Sequence, residues 1–454
     1  MSEISFAAFK MIFNPINGIC LSVNCKSVFF RCEKECVIRK FWRENQLYID
    51  RGLSGRLIVN AMKSNHEPIK EKLRAKGVVM PNPESVYVAD DVDINRISGN
   101  DVTVFPGCRI TGSRTLILPG TRIGYEAPVT LENCLVGKNV RLNGGFFQEA
   151  VFLGDNVFGS NAHVRTGTIL EEQACAAHTV GLKQTLLFPF VTLGSLINFC
   201  DCFMAGGTSR KNHSEVGSSF VHFNYTPNQD KATPSMMGNV HQGVMLDKPP
   251  VFLGGQGGLV GPVRIGFGCL TGAGSIVRKD EEKPNQMILA GNTRSMSLPR
   301  RSGVHPGAVR IFNHNIKYLA GLAALHAWYV HVRPIFAQDP LSRELISGLQ
   351  KTLVQSIGER IRQLENFCDT LKASQPHDRI LATMETVGQH MDQALDSPKL
   401  SASGETLMSW LNNQITRHDI DYITAIQSLP REIKIQGTHW LLNIETTLLD
   451  LLTV

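Results

Sequence analysis

The sequence is most informative at first in what it lacks. No apolar run approaches the roughly 18 residues needed to cross a bilayer, so a membrane span is not expected. No basic, apolar, small-residue leader opens it, which sets aside a secretory signal and points to a cytoplasmic protein. Charge of one sign is concentrated nowhere: 46 Lys and Arg stand against 40 Asp and Glu, interspersed, for a net charge of +6. A nucleic-acid binder would show a basic stripe, so nucleic acid is not an expected partner, whereas small anionic ligands suit this balance. The 11 cysteines are odd in number and scattered, which fits reduced thiols better than a disulfide framework. Cys20, Cys25, Cys32 and Cys36 cluster but lack the paired CxxC of a zinc ribbon, so no metal site is expected there.

What is present is a six-residue period. In "VFLGGQGGLVGPVRIGFGCLTGAGSIV" (251–277), Leu259, Ile265, Thr271 and Val277 stand six apart, and small residues such as Val263, Cys269 and Ser275 lie four places on from each. Earlier blocks keep the register: Val104 and Ile110, Ile117 and Ile123, then Phe152, Phe158, Val164 and Leu170 with Ala162, Thr168 and Ala174 between them. A helix would repeat every 3.6 residues and a half-buried strand every two. A sustained period of six predicts a left-handed parallel β-helix of hexapeptide repeats, in which the aliphatic residue fills the interior and the small one fits the bend. With about 18 residues per coil, the hexad region makes on the order of ten coils.

The chain therefore divides into an irregular N-terminal extension (1–45), a short helical lead-in (46–85), the mainly β solenoid (86–298) and an α-helical C-terminal domain (299–454). Ile346, Leu349, Leu353, Ile357, Ile361 and Leu364 form an amphipathic stripe in the last of these, which reads as a helical cap or an oligomerisation bundle. Irregular inserts such as "AGGTSRKNHSEVG" (205–217) are the expected carriers of function on such a rigid scaffold.

Three stretches carry a resemblance. "FLGGQGGLVGPVRIGFGCLTGAGSIV" resembles, without a gap, the final coils of the acyltransferase half of the bifunctional family that makes UDP-N-acetylglucosamine. "NYTPNQDKATPSMMG" (224–238) resembles that family's N-Y-D-G-x-N-K-x-x-T-x-x-G segment, with one residue inserted on each side of Lys231. "AHVRTGTIL" (162–170) resembles A-R-L-R-P-G-T-x-L. The resemblance implies that Arg165 and Lys183 hold a sugar phosphate and that Asn224 and Tyr225, with Lys231 beside them, lie near the donor and sugar. It also implies acetyl-CoA as acyl donor, a sugar phosphate or nucleotide sugar as acceptor, and a homotrimer with its site between subunits. Arg165 and Lys183 are one 18-residue coil apart, so a regular solenoid stacks them about 5 Å from one another as a cation clamp.

Two departures stand out. The family's general base is a histidine where this chain has Ser195, and a hydroxyl needs an activating partner before it can take a proton. His213, in "SRKNHSEVG", resembles the family's S-K-x-x-H segment and is the leading substitute; His178 and His222 are further candidates. The glycine-rich nucleotide loop of the family's pyrophosphorylase half is absent. The expected function is an acyl-CoA-dependent acyltransferase acting on a sugar phosphate or nucleotide sugar of the UDP-N-acetylglucosamine type. The alternative is a non-catalytic binder that keeps the phosphate clamp without the base. A purely structural spacer is disfavoured by the polar insert "FNYTPNQDKATPS" at 223–235.

Overall fold

The computed structural model describes residues 67–224, 231–291, 307–374, 377–417 and 420–454, positions 297 and 305, and the backbone of four strands nearer the N-terminus. Two compact units result, Met1–Glu67 and Pro68–Val454. In the first, the strands Cys20–Asn24, Ser27–Arg31, Leu57–Asn60 and Tyr48–Arg51 lie side by side in that order as an antiparallel sheet. This corrects the irregular extension, and also the helical lead-in, which among the described residues is helical over α1 (Glu67–Ala75) and a short 3-10 turn at Pro83–Ser85. The segments "SVFFR" and "LIVN" are rich in β-branched and aromatic residues that favour paired strands, and this overrides weak helical patterning. Cys25, Cys32 and Cys36 lie outside the described residues; among those described, no His, Cys, Asp and Glu cluster could hold a metal.

The second unit is built on a left-handed parallel β-helix of about 11 turns. Each coil has three faces. Around Arg165 the first is Ala162–Val164, the second Thr168–Leu170 and the third Cys175–Ala176. Strands of one face pair only with those of adjacent coils, as in His163 with Gly181 and Phe158 with Ala176. Inward residues such as Leu142, Phe152, Phe158, Val164 and Leu182 are fully buried, as the hexads predict.

The second face differs from the other two. Its strands read as continuous apolar runs: "CLVG" (134–137), "AVFL" (150–153), "TLLF" (185–188) and "CFMA" (202–205). A strand buried on both sides has no polar alternation. Here Leu135, Val151, Leu153, Ile169, Leu186 and Phe203 turn outward into a core shared with the C-terminal helices. Those helices follow the short α2 (Val240–Gly243) and are α3 (Ala308–His331), α4 (Pro340–Ser374), α5 (Asp378–Asp396), α6 (Ala402–Arg417), α7 (Tyr422–Gln427) and α8 (Arg431–Leu452). α4 runs along the second face, and α3 is buried almost all round, packed against α2, α4 and α8. The helical region is thus neither an end cap nor a separate domain: it forms one unit with the solenoid it covers.

A buried charge cluster fastens the two. Arg333, just after α3, pairs with Glu171 and Glu172 of the solenoid, and its guanidinium carbon lies 3.4 Å from the centre of the Tyr422 ring. Tyr329 donates to Glu171 at 2.6 Å, and Trp328 donates to the Tyr422 hydroxyl at 3.0 Å. Among the described residues no helix is long and apolar enough to cross a membrane.

Candidate functional site

The corner between the first and second faces collects most of the expected site residues. Val164 pairs with Leu182, and the Arg165 amide donates to the Leu182 carbonyl at 2.9 Å, so Arg165 and Lys183 occupy equivalent positions on adjacent coils. Lys183 in turn pairs with Cys200. The chain turns sharply after Arg165 through Gly167 in the left-handed region (φ 73°), and Thr168 Oγ1 caps the Arg165 carbonyl at 2.7 Å.

Electrostatically the corner is incomplete. Arg165 Nη2 lies 3.8 Å from Cys200 Sγ, while its buried Nε has no hydrogen-bond partner. Lys183 makes no ion pair or side-chain hydrogen bond with any described residue. Burial, with Asp201 adding to it, pushes the Cys200 thiol up, while Arg165 and Lys183 oppose that. Neither cation forms an ion pair with a described carboxylate, although Glu149 and Glu359 line the same cleft as Lys183.

Described residues that follow the first-face strand Val221–Phe223 meet the same corner. Asn224 Nδ2 donates to Asp201 Oδ2 at 3.0 Å, and Thr233 donates to the Asn224 carbonyl at 3.0 Å. Lys231 is exposed, and its carbonyl accepts from Arg360 of α4 at 3.1 Å. Tyr225 lies outside the described residues. Arg360 pairs with Asp201, both of them buried, and Ser356 reaches the Gly167 carbonyl at 3.4 Å. Between α4 and the corner lies a cleft of about 270 Å³, lined by Glu149, Thr166, Lys183 and Gln184 on one side and Gln355, Glu359 and Arg362 on the other.

Arg360 and Asp201 were not among the residues expected from sequence. The signal was present: Arg360 lies three residues after Ile357 and four before Leu364, a cation inside an apolar stripe, which requires a buried partner.

The histidines fall elsewhere. His213 lies in a hairpin formed by Gly207–Ser209 and Asn212–His213, at the corner between the second and third faces. Its Nδ1 meets the Arg210 carbonyl at 2.9 Å and its Nε2 is 3.7 Å from Glu215. Ser195 lies at the remaining corner, its amide donating to Ser218 Oγ at 3.1 Å. His178 is exposed beside Thr179. A single chain therefore brings Arg165, Lys183, Asn224 and Lys231 together and leaves His213 at a different corner.

His222 lies beside the same corner, against Cys200, but is sealed. Its Nδ1 donates to the Cys200 carbonyl, which leaves Nε2 to accept from Ser235 Oγ at 2.8 Å. Ser235 Oγ accepts in turn from the Val263 amide at 3.0 Å. Burial lowers the His222 pKa to about 4, despite the opposing pull of Asp201. Since this is below the ordinary 6.5, its stabilising contribution is complete above pH 6.5 and disappears as pH falls through 4. This group alone is expected to contribute a loss of about 3 kcal/mol in urea unfolding over that window. His222→Gln should lose correspondingly less between pH 7 and pH 4.5; an equal loss in both would assign the effect to other groups.

No family model matches this chain. Among curated proteins, it is similar to the bifunctional protein GlmU of Thermotoga petrophila, 29% identical over 211 residues, covering 46% of this chain and 42% of that protein. The bifunctional protein GlmU of Trichlorobacter lovleyi is 25% identical over 234 residues (51% and 45%), and that of Tropheryma whipplei 26% over 233 residues (51% and 35%). The chain thus spans less than half the length of these relatives, and the similarity falls on their C-terminal, acetyltransferase-like half.

Proposed function

We propose that the protein binds a sugar phosphate or nucleotide sugar of the UDP-N-acetylglucosamine type across Arg165 and Lys183, and that it is an acyltransferase using acetyl-CoA. The observation that carries this reading is the pair of adjacent cations with no acidic partner among the described residues. The buried arginines, by contrast, are neutralised, Arg333 by Glu171 and Glu172 and Arg360 by Asp201. The likeness to GlmU supports the sugar class and the acyl donor. In this reading Asn224, Tyr225 and Lys231 orient the acceptor, and Arg360 holds their loop through the Lys231 carbonyl and Asp201.

Acyl transfer to an amine needs a group that takes the proton from the attacking nitrogen. Because His213 is at another corner, it can serve only if a second copy presents that corner to the clamp, so this reading requires an oligomer, with a homotrimer the proposed state. His213→Ala is then expected to abolish acyl transfer, assayed as release of free coenzyme A thiol, while nucleotide-sugar binding persists. Retained turnover would clear His213 of the role.

A second reading is a non-catalytic nucleotide-sugar binder, favoured by the sealed position of His222 and the separation of His213 from the clamp. Calorimetric titration with acetyl-CoA and with UDP-N-acetylglucosamine, alongside sedimentation, separates the two. Binding of both ligands by an oligomer supports the transferase; binding of the nucleotide sugar alone by a monomer supports the binder. Binding of neither removes both.

A further inference from the structure

A second cleft, of about 700 Å³, lies further along α4, between that helix and the coils carrying Arg96 and Arg114. It adjoins the cleft at Lys183, with Gln355 lining both. Its two walls each offer a cation: Arg114 from the solenoid corner and Lys351 from α4, neither engaged through its charged group by any described residue. Arg96, by contrast, is already paired with Glu344. His326 of α3 also lines the cleft; it is only 6% exposed, and its buried Nδ1 has no partner. Burial, reinforced by nearby His331, holds this imidazole neutral, so it can hydrogen-bond a polar ligand edge without adding charge. Val354, 39% exposed, supplies an apolar surface beside these groups.

Uncompensated cations on facing walls, a buried unpartnered imidazole and an exposed aliphatic surface together match a phosphate group joined to a flat polar ring. We propose that this cleft binds the nucleoside diphosphate portion of a ligand whose other end lies at Lys183. The inference rests on the clamp reading above for that second end. Four coil spacings, about 19 Å, separate Arg114 from Lys183, so a ligand touching both is extended along α4. Coenzyme A and a nucleotide sugar share the required chemistry, and the test distinguishes them.

The full-length chain with Arg114→Gln and Lys351→Gln together would be titrated with coenzyme A, ADP, UDP-N-acetylglucosamine and UDP at one fixed salt concentration. The wild type and the Arg165→Ala/Lys183→Ala variant would be run in parallel, with urea midpoints confirming that each is folded. The expected result is a loss of about tenfold or more in affinity in the Arg114/Lys351 variant. A loss for coenzyme A and ADP identifies the acyl donor as occupant; a loss for UDP-N-acetylglucosamine and UDP identifies the nucleotide sugar. Affinities within about twofold of wild type for all four ligands overturn the proposal. If UDP-N-acetylglucosamine then still depends on Arg165 and Lys183, the clamp reading survives alone. A wild type that binds none of the four ends both.

Discussion

Replacing Arg165 and Lys183 by alanine together is expected to reduce affinity for UDP-N-acetylglucosamine by about a hundredfold or more. Each charge-assisted contact contributes roughly 1.5–3 kcal/mol, and every 1.4 kcal/mol is tenfold. The two side chains are neighbours on adjacent coils, so their effects should be less than additive. The same variant carries a control within itself. Because Arg165 has a buried Nε without a partner, the folded protein gains little from that group and bears its desolvation. The double variant should therefore be about as stable to urea as the wild type, or more so. Binding lost with stability kept marks a ligand site. Stability lost together with binding would make the pair part of the scaffold, and unchanged binding would remove the clamp altogether.

Arg333→Ala is expected to cost about 3–5 kcal/mol of stability, a large share of the roughly 5–15 kcal/mol available to a folded protein. The substitution leaves Glu171, 1% exposed, without its cation and takes the guanidinium off the Tyr422 ring. Tyr329 still donates to Glu171, but one neutral hydrogen bond does not replace the cation that bridges Glu171 and Glu172. The loss should be read as a lower urea midpoint, with early proteolysis within the C-terminal helices. Adding Glu171→Gln to Arg333→Met should recover much of it, because the penalty comes from the charge left behind. A change below about 1 kcal/mol in Arg333→Ala would show that the apolar contacts alone hold the helices on the second face.

The hexads made the solenoid legible because inward positions such as Phe152, Phe158, Val164 and Leu170 repeat against small or polar outward ones. The pattern fades after Ala174 for two physical reasons. The coil shortens by one residue between the pairs Val164 with Leu182 and Leu182 with Phe199, which breaks the count. From there Gly181–Leu187 and Asn198–Met204 run through a corner as single strands, with apolar residues facing both the interior and α4. A period cannot distinguish two buried sides from one. The runs "TLLF" and "CFMA" lack the polar alternation of a half-exposed strand, but the stripe from Ile346 to Leu364 reads equally as a cap or an oligomerisation bundle, so the cover was not identified. That Arg165 and Lys183 are neighbours on adjacent coils was legible from one coil of spacing. The Asp201–Arg360 pair was not, because its members lie 159 residues apart and only folding brings them together. The N-terminal sheet was missed because its short segments lack the length that makes a pattern decisive.

The way α4 lies along the second face has a consequence for how this molecule can vary. Solenoids tolerate the gain or loss of a coil, since each repeat touches only its neighbours. Here contacts recur down the helix, from Arg96 with Glu344, through Gly167 with Ser356, to Asp201 with Arg360. Between the first and last of these the helix rises about 24 Å, while the stacked coils advance about 29 Å. That is about four and a half helical turns against about six coils, so each coil corresponds to a little less than one turn. Deleting a single coil would put every later contact out of step by about one turn, unless the helix lost a turn as well. α4 acts as a gauge that fixes how many repeats the chain can carry, and so fixes the distance between whatever binds near Arg114 and whatever binds at Lys183.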